Sequence, residues 1–98
     1  MKWSDLMWQK HPFSSVLHAR LSFGNEYELS IVQEVNENGL YEVAIFLDGN
    51  FVQLPGIHPD GGDDYLDDVL RYQTREEVVG IVRKLESITG ESPLNVYE

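Results

Sequence analysis

The stretch His58–Asp64 holds the residue types best suited to chemistry, because one histidine and three carboxylates lie within seven residues. Such oxygen ligands suit a hard cation such as Ca²⁺. Their spacing differs from that of an EF-hand loop, whose ligands alternate and end in a glutamate. We therefore expect a solvated acidic loop and no metal. The alternative is a metal-binding or small hydrolytic domain centred on residues 58–68.

Nucleophilic catalysis needs a hydroxyl group beside a base, and the nearest candidates are Ser14 and Ser15 with His11 and His18. No catalytic motif surrounds these residues, and no spacing singles out a pair of carboxylates for acid–base chemistry. The sequence has no cysteine and no glycine pattern of a phosphate-binding loop. We therefore expect a protein that is not an enzyme and has no cofactor.

The net charge of the chain is −10, and it is distributed unevenly. Residues 21–70 hold eleven acidic residues and neither lysine nor arginine. Affinity for DNA or RNA depends on clustered basic side chains, so direct binding to nucleic acid is not expected. The charge instead favours a basic protein partner.

The length of 98 residues is that of one domain, and 42% hydrophobic residues are typical of a globular protein. No stretch has the ~18 consecutive apolar residues of a membrane span, and the first residues lack the apolar run of a signal peptide. We therefore expect a single domain over residues 1–98, located in the cytoplasm and without a membrane partner.

Three stretches alternate between apolar and polar residues and predict antiparallel strands. They cover residues 17–23, 27–35 and 41–47. Turn signals separate them at Gly24-Asn25 and Asn38-Gly39. Residues 51–54 predict a short fourth strand, and residues 65–73 fit a helix or a strand.

Helices are predicted at both ends of this sheet. Thr74 and Glu77 match a capping box, so a helix should begin there, run to Thr89 and end before Gly90. Residues 3–10 predict a short N-terminal helix. The expected fold class is α+β, a meander of three or four strands with the main helix on one face. The apolar residues expected on the inner side of that helix are Val78, Ile81, Val82, Leu85 and Ile88.

The register of the strands follows from pairing apolar residues with each other. A turn at residues 24–26 pairs Leu21 with Leu29. A turn at residues 37–39 pairs Ile31 with Ile45 and allows a left-handed Gly39.

This register predicts a patch on the outer face of the sheet, with an apolar centre inside a rim of carboxylates. Glu34 would lie opposite Glu42, and Glu28 opposite Asp48, so like charges would face each other. An apolar anchor inside an acidic rim suits a basic protein surface. The alternatives are a solvated face, partly covered by residues 3–8, and a homodimer interface. The predicted patch consists of Glu28, Val32, Glu34, Glu42, Ala44, Phe46 and Asp48.

Three segments, 22–30, 39–44 and 67–70, resemble small uncharacterised acidic proteins of tailed phages and related mobile elements. The resemblance extends over residues 17–88 and implies no activity. It implies a context in which small acidic proteins inhibit host or competing factors, some by imitating nucleic acid. We therefore expect a non-catalytic acidic binding protein, of the inhibitor or nucleic-acid mimic type, that occupies a basic surface of a partner protein.

Overall fold

The fold comes from a computed structural model, which describes residues 3–10, 16–24, 26–33, 39–52, 54, 57 and 69–96. Most of the described elements are strands, and the main helix follows the sixth strand. In chain order the elements are a 3-10 helix (Trp3–Asp5), β1 (Gln9–Lys10), β2 (Leu17–Phe23), β3 (Tyr27–Gln33), β4 (Tyr41–Leu47), β5 (Asn50–Phe51), β6 (Val69–Gln73), α1 (Arg75–Thr89) and β7 (Leu94–Asn95).

All seven strands belong to one antiparallel sheet, with the meander β2–β3–β4 at its centre. Two short strands complete each edge: β1 and β7 pair with β2, and β5 and β6 pair with β4. The predicted α+β class is confirmed, but the predicted number of three or four strands is too low, because the described residues form seven. Edge strands of two residues are too short to show an alternating pattern. The ambiguous segment 65–73 contains strand β6, and the strand predicted at residues 51–54 coincides with β5 only at Phe51, since β5 covers Asn50–Phe51.

The predicted register is correct for one pair of strands and wrong for the other. Leu21 lies opposite Leu29, as predicted. Leu29 in turn lies opposite Ile45, and Ile31 opposite Val43, so β3 and β4 are offset by two residues from the prediction. Because side chains alternate with period two, this offset keeps every apolar residue on the inner face. The hydrophobic pattern therefore could not distinguish the two registers.

The hydrophobic core lies between the inner face of the sheet and α1. The capping box is confirmed, because the Glu77 N–H donates to Thr74 Oγ1 at 3.2 Å and the Thr74 N–H to Glu77 Oε1 at 3.0 Å. Gly90 ends the helix with a φ of 70°. Ile88 was wrongly predicted as a core residue, since it is 51% exposed in the last turn. Among the described residues, no helix has the length and apolar character needed to cross a bilayer.

The predicted short N-terminal helix is correct only for residues 3–5, which form one 3-10 turn, because residues 9 and 10 belong to strand β1. Aromatic packing explains the difference, because the rings of Trp3 and Trp8 lie 4.9 and 5.6 Å from that of Tyr41. The Arg75 guanidinium lies 5.3 Å from the centre of the Trp3 ring. Leu6 is buried with the core cluster. The segment therefore packs against the core, and it does not provide the partial cover of the outer face that was considered as an alternative.

Asn95 joins the N-terminal segment to the end of the chain. Its Oδ1 accepts from the Met7 N–H at 3.2 Å, and its Nδ2 donates to the Asp5 carbonyl at 3.0 Å. Nearby, Gln9 Nε2 donates to the Val96 carbonyl at 2.9 Å. Side-chain hydrogen bonds therefore connect segments that are almost ninety residues apart.

Candidate binding surfaces

The outer face of the sheet holds the predicted patch, because its strand residues alternate with the buried inner-face residues. Glu28 and Val32 flank the buried Leu29 and Ile31 along β3. On β4, Glu42, Ala44 and Phe46 occupy the corresponding positions. Asp48 lies in the turn after β4, and Glu34 lies outside the described residues.

The predicted repulsion between opposed carboxylates is wrong. Glu28 lies opposite Phe46, and Val32 lies opposite Glu42, because of the two-residue offset between β3 and β4. Each of these carboxylates instead has an arginine partner. Arg20 on β2 forms an ion pair with Glu28, and Arg71 on β6 forms one with Glu42 at 2.8 Å.

The apolar centre of the patch extends further than the sequence predicted. Val32 and Phe46 are half-buried, and Ala44 is buried beside Val69 of β6. The Phe46 ring lies 4.6 Å from that of Phe51, which is 52% exposed. We call the apolar row on this face the outer stripe: Val32, Ala44, Phe46, Phe51 and Val69.

A sequence signal for Phe51 was present in the Asp48-Gly49 dipeptide. Both residues have a positive φ, 52° and 83°, as a two-residue hairpin turn of type I′ requires. This turn pairs Leu47 with Asn50 and Phe46 with Phe51. A hairpin predicted at Asp48-Gly49 would have placed both phenylalanines side by side.

Asp48 lies at one end of the sheet, away from its predicted position opposite Glu28. Its N–H donates to the Glu26 carbonyl at 3.1 Å, so the turns after β2 and β4 are hydrogen-bonded to each other. Asp48 and Glu26 are both exposed. The described carboxylates at this end of the sheet therefore form a second acidic region, distinct from the ion-paired rim of the outer stripe.

The residues first considered for chemistry are mostly beyond the described ranges. The acidic loop 58–68 lies outside them, as do His11, Ser14 and Ser15. His18 is buried in β2, where Gln9 and Val32 of the neighbouring strands lie opposite it. Within the described ranges, no group of three or more histidine and carboxylate residues is arranged to hold a metal ion.

A cleft of about 460 Å³ opens at the acidic end of the sheet, between the β2–β3 turn and the C-terminal end of α1. Sequence reasoning missed it, because it forms only where the helix end meets the turn. Its described lining residues are Phe23, Gly24, Glu26, Tyr27, Ile88, Thr89 and Glu91.

Comparison with known proteins assigns no function to these surfaces. Comparison of the chain with protein-family models, curated proteins and solved structures found no match. The outer stripe and the cleft are two candidate binding surfaces formed by described residues.

Proposed function

We propose that this chain is a non-catalytic binding protein whose outer stripe contacts a basic surface of a partner protein. The stacked pair of Phe46 and Phe51 is the observation that carries the proposal, because one ring is half-exposed on a sheet face of a highly charged protein. Binding energy in protein interfaces is concentrated in a few such anchors, and polar contacts around them exclude water.

The net charge of −10 supplies the attraction toward a basic partner. Glu28 and Glu42 already face Arg20 and Arg71, so most of the excess negative charge comes from elsewhere. Residues 58–68 alone contribute five acidic side chains. Long-range attraction of this kind raises the association rate and is screened by salt.

The ion pairs of the rim are compatible with a basic partner. A carboxylate has two oxygens that together accept several hydrogen bonds, so pairing with one arginine does not exhaust it. Arg20 and Arg71 hold them in defined positions at the border of the outer stripe. A basic partner would therefore meet two arginine-paired carboxylates at the border of the outer stripe.

Within this class, we propose an inhibitor that competes with nucleic acid for its partner in the cytoplasm. Surfaces that bind phosphate backbones carry clustered basic residues, which are the surfaces a chain of net charge −10 attracts. The resemblance to small acidic proteins of phages and mobile elements supports the same context. The partner's own binding of DNA or RNA should then fall as this protein is added.

The test is capture of the partner from an extract of the source organism, followed by rate measurements with the purified partner. Phe46→Ala with Phe51→Ala should raise the dissociation rate, because both anchors are lost. Leu94→Ala is the matched control, since Leu94 is an exposed apolar residue, 71% exposed, on the opposite edge of the sheet. Equal dissociation rates for the double variant and the control would contradict the proposal.

A further inference from the structure

We propose that the cleft between the β2–β3 turn and the end of α1 binds the guanidinium group of an arginine side chain. The cleft is separate from the outer stripe, because Phe23 and Tyr27 lie opposite each other on the inner side of the sheet. The inference depends on the proposed function only in taking a basic partner as the source of that arginine.

The cleft has the size of a small-ligand site, and its accessible lining is mainly polar. Its volume of about 460 Å³ falls within the range of about 300–1,000 Å³ that is usual for such pockets. Tyr27, which is half-buried, supplies aromatic surface and Ile88 supplies an aliphatic wall, whereas Phe23 is 1% exposed and offers almost no ring surface. The 51% exposure of Ile88 is explained by this position, since its side chain borders the opening and not the core.

Glu91 is held at the border of the cleft by the helix cap. Thr89 Oγ1 donates to the Leu85 carbonyl at 2.8 Å and accepts from the Glu91 N–H at 3.1 Å. The Glu91 side chain lies across Gly24, with its Cγ 3.1 Å from the point where a Cβ of residue 24 would stand. Gly24 also has a φ of 66°, so a glycine suits this position for two reasons. The backbone of Glu91 is therefore fixed before any ligand arrives, and its side chain extends over Gly24 at the border of the cleft.

The electrostatics of the cleft favour a cation. The C-terminal end of a helix carries about half a negative charge, and the last turn of α1 has no basic residue to offset it. Glu26 and Glu91 add two carboxylates, and none of the described lining residues is basic. Asp48 is hydrogen-bonded to Glu26 through the backbone and adds a third carboxylate nearby.

Among cations, the combination of carboxylates with the ring of Tyr27 favours a guanidinium group. Its planar fork accepts bidentate pairing with a carboxylate, and its face stacks on aromatic rings. Tyr27 is half-buried in the wall and provides such a ring. A bare metal ion would need more oxygen ligands than Glu26 and Glu91 provide.

The probe is N-acetyl-arginine amide, titrated into the isotope-labelled full chain and followed by NMR. Saturable shifts are expected at the Gly24 and Gly90 amides and at the Ile88 methyl groups. N-acetyl-citrulline amide is the matched control ligand, because it has the same shape and no charge. Equal shifts with both ligands, or shifts that avoid these three residues, would overturn the proposal.

Glu91→Gln should weaken arginine binding by about two- to fivefold, the effect expected for one exposed ion pair. The matched control is Glu76→Gln, which removes an exposed carboxylate from the first turn of the same helix and should leave affinity unchanged. Ile88→Lys places a cation beside the cleft and should abolish binding while leaving the fold intact, since the residue is exposed. Undiminished affinity in both Glu91→Gln and Ile88→Lys would refute the site.

The outer stripe is tested separately in the same titration. Phe46→Ala should leave the arginine shifts unchanged, because Phe46 lies on the other face of the sheet. Failure of the partner experiment together with intact arginine binding would therefore contradict the proposed function and leave the cleft standing. A Phe46→Ala variant that loses the arginine shifts would contradict the cleft as an independent site.

Discussion

Asn95→Ala should destabilise the protein more than the position of Asn95 in the short last strand suggests. The side chain makes two hydrogen bonds, from the Met7 N–H at 3.2 Å and to the Asp5 carbonyl at 3.0 Å. A net hydrogen bond contributes about 0.5–1.5 kcal/mol, and these two are exposed to solvent. We therefore expect a loss of about 1–2 kcal/mol in the free energy of unfolding.

Urea unfolding monitored by tryptophan fluorescence measures this loss. Trp3 and Trp8 flank the residues that Asn95 holds, so the signal reports on the segment concerned. For a domain of this size, about 1 kcal/mol corresponds to about 4–8 °C in Tm, which gives a second readout. Blue-shifted emission and a single transition should persist in the variant, because the aromatic packing does not involve Asn95.

Asn50→Ala is the matched control for the loss of an asparagine side chain. Asn50 Nδ2 makes one long contact of 3.4 Å to the Asp48 carbonyl, only two residues away. Its removal should change stability by less than about 0.5 kcal/mol, as at most surface positions. If Asn95→Ala and Asn50→Ala unfold at the same urea concentration, the connection between the two ends of the chain does not stabilise the sheet.

Thr74→Ala should lower the free energy of unfolding by about 1 kcal/mol, because it removes the helix cap. Val82→Asp should lower it considerably more, because it buries an unpaired charge at a position that is 5% exposed. Thermal unfolding measures both effects. A double-mutant cycle on Arg71 and Glu42 should give a coupling of about 0.2–1 kcal/mol that falls with added salt, and zero coupling at low salt would contradict the ion pair. Millimolar Ca²⁺ or Zn²⁺ should leave Tm nearly unchanged, whereas a site within residues 58–68 saturated at 100 times its Kd would add about 2.7 kcal/mol.

Local signals predicted the parts of the fold that depend on neighbouring residues. The helix start was predictable, because the cap involves only Thr74 and Glu77, three residues apart. The register between β2 and β3 was predictable as well, because the turn at residues 24–26 leaves little choice of pairing. The outer-face positions of Val32 and Phe46 followed from alternation alone.

Long-range contacts account for what the sequence did not predict. Residues 3–10 were predicted as a short helix, but only Trp3–Asp5 forms a helical turn, and Trp3 and Trp8 pack in an aromatic cluster with Tyr41. The ion pair between Arg71 and Glu42 needed β6, a segment whose pattern fitted two structures. The cleft needed Glu91 to meet the β2–β3 turn, and no spacing along the chain encodes that meeting.

Two strands from opposite ends of the sequence, β1 and β7, pair with the same edge of β2, and this has a consequence for synthesis on the ribosome. β1 covers β2 at Leu17 and His18, whereas Leu21 and Ser22 are covered only by β7. At about 5–20 residues per second, β7 is made about 4–14 s after β2. Once β3 has been made and pairs with β2, the other edge of β2 stays open at Leu21 and Ser22 until β7 is made, and another strand can add to it. Slower translation of residues 23–93 should therefore increase aggregation of newly made protein, even though it leaves the finished fold unchanged.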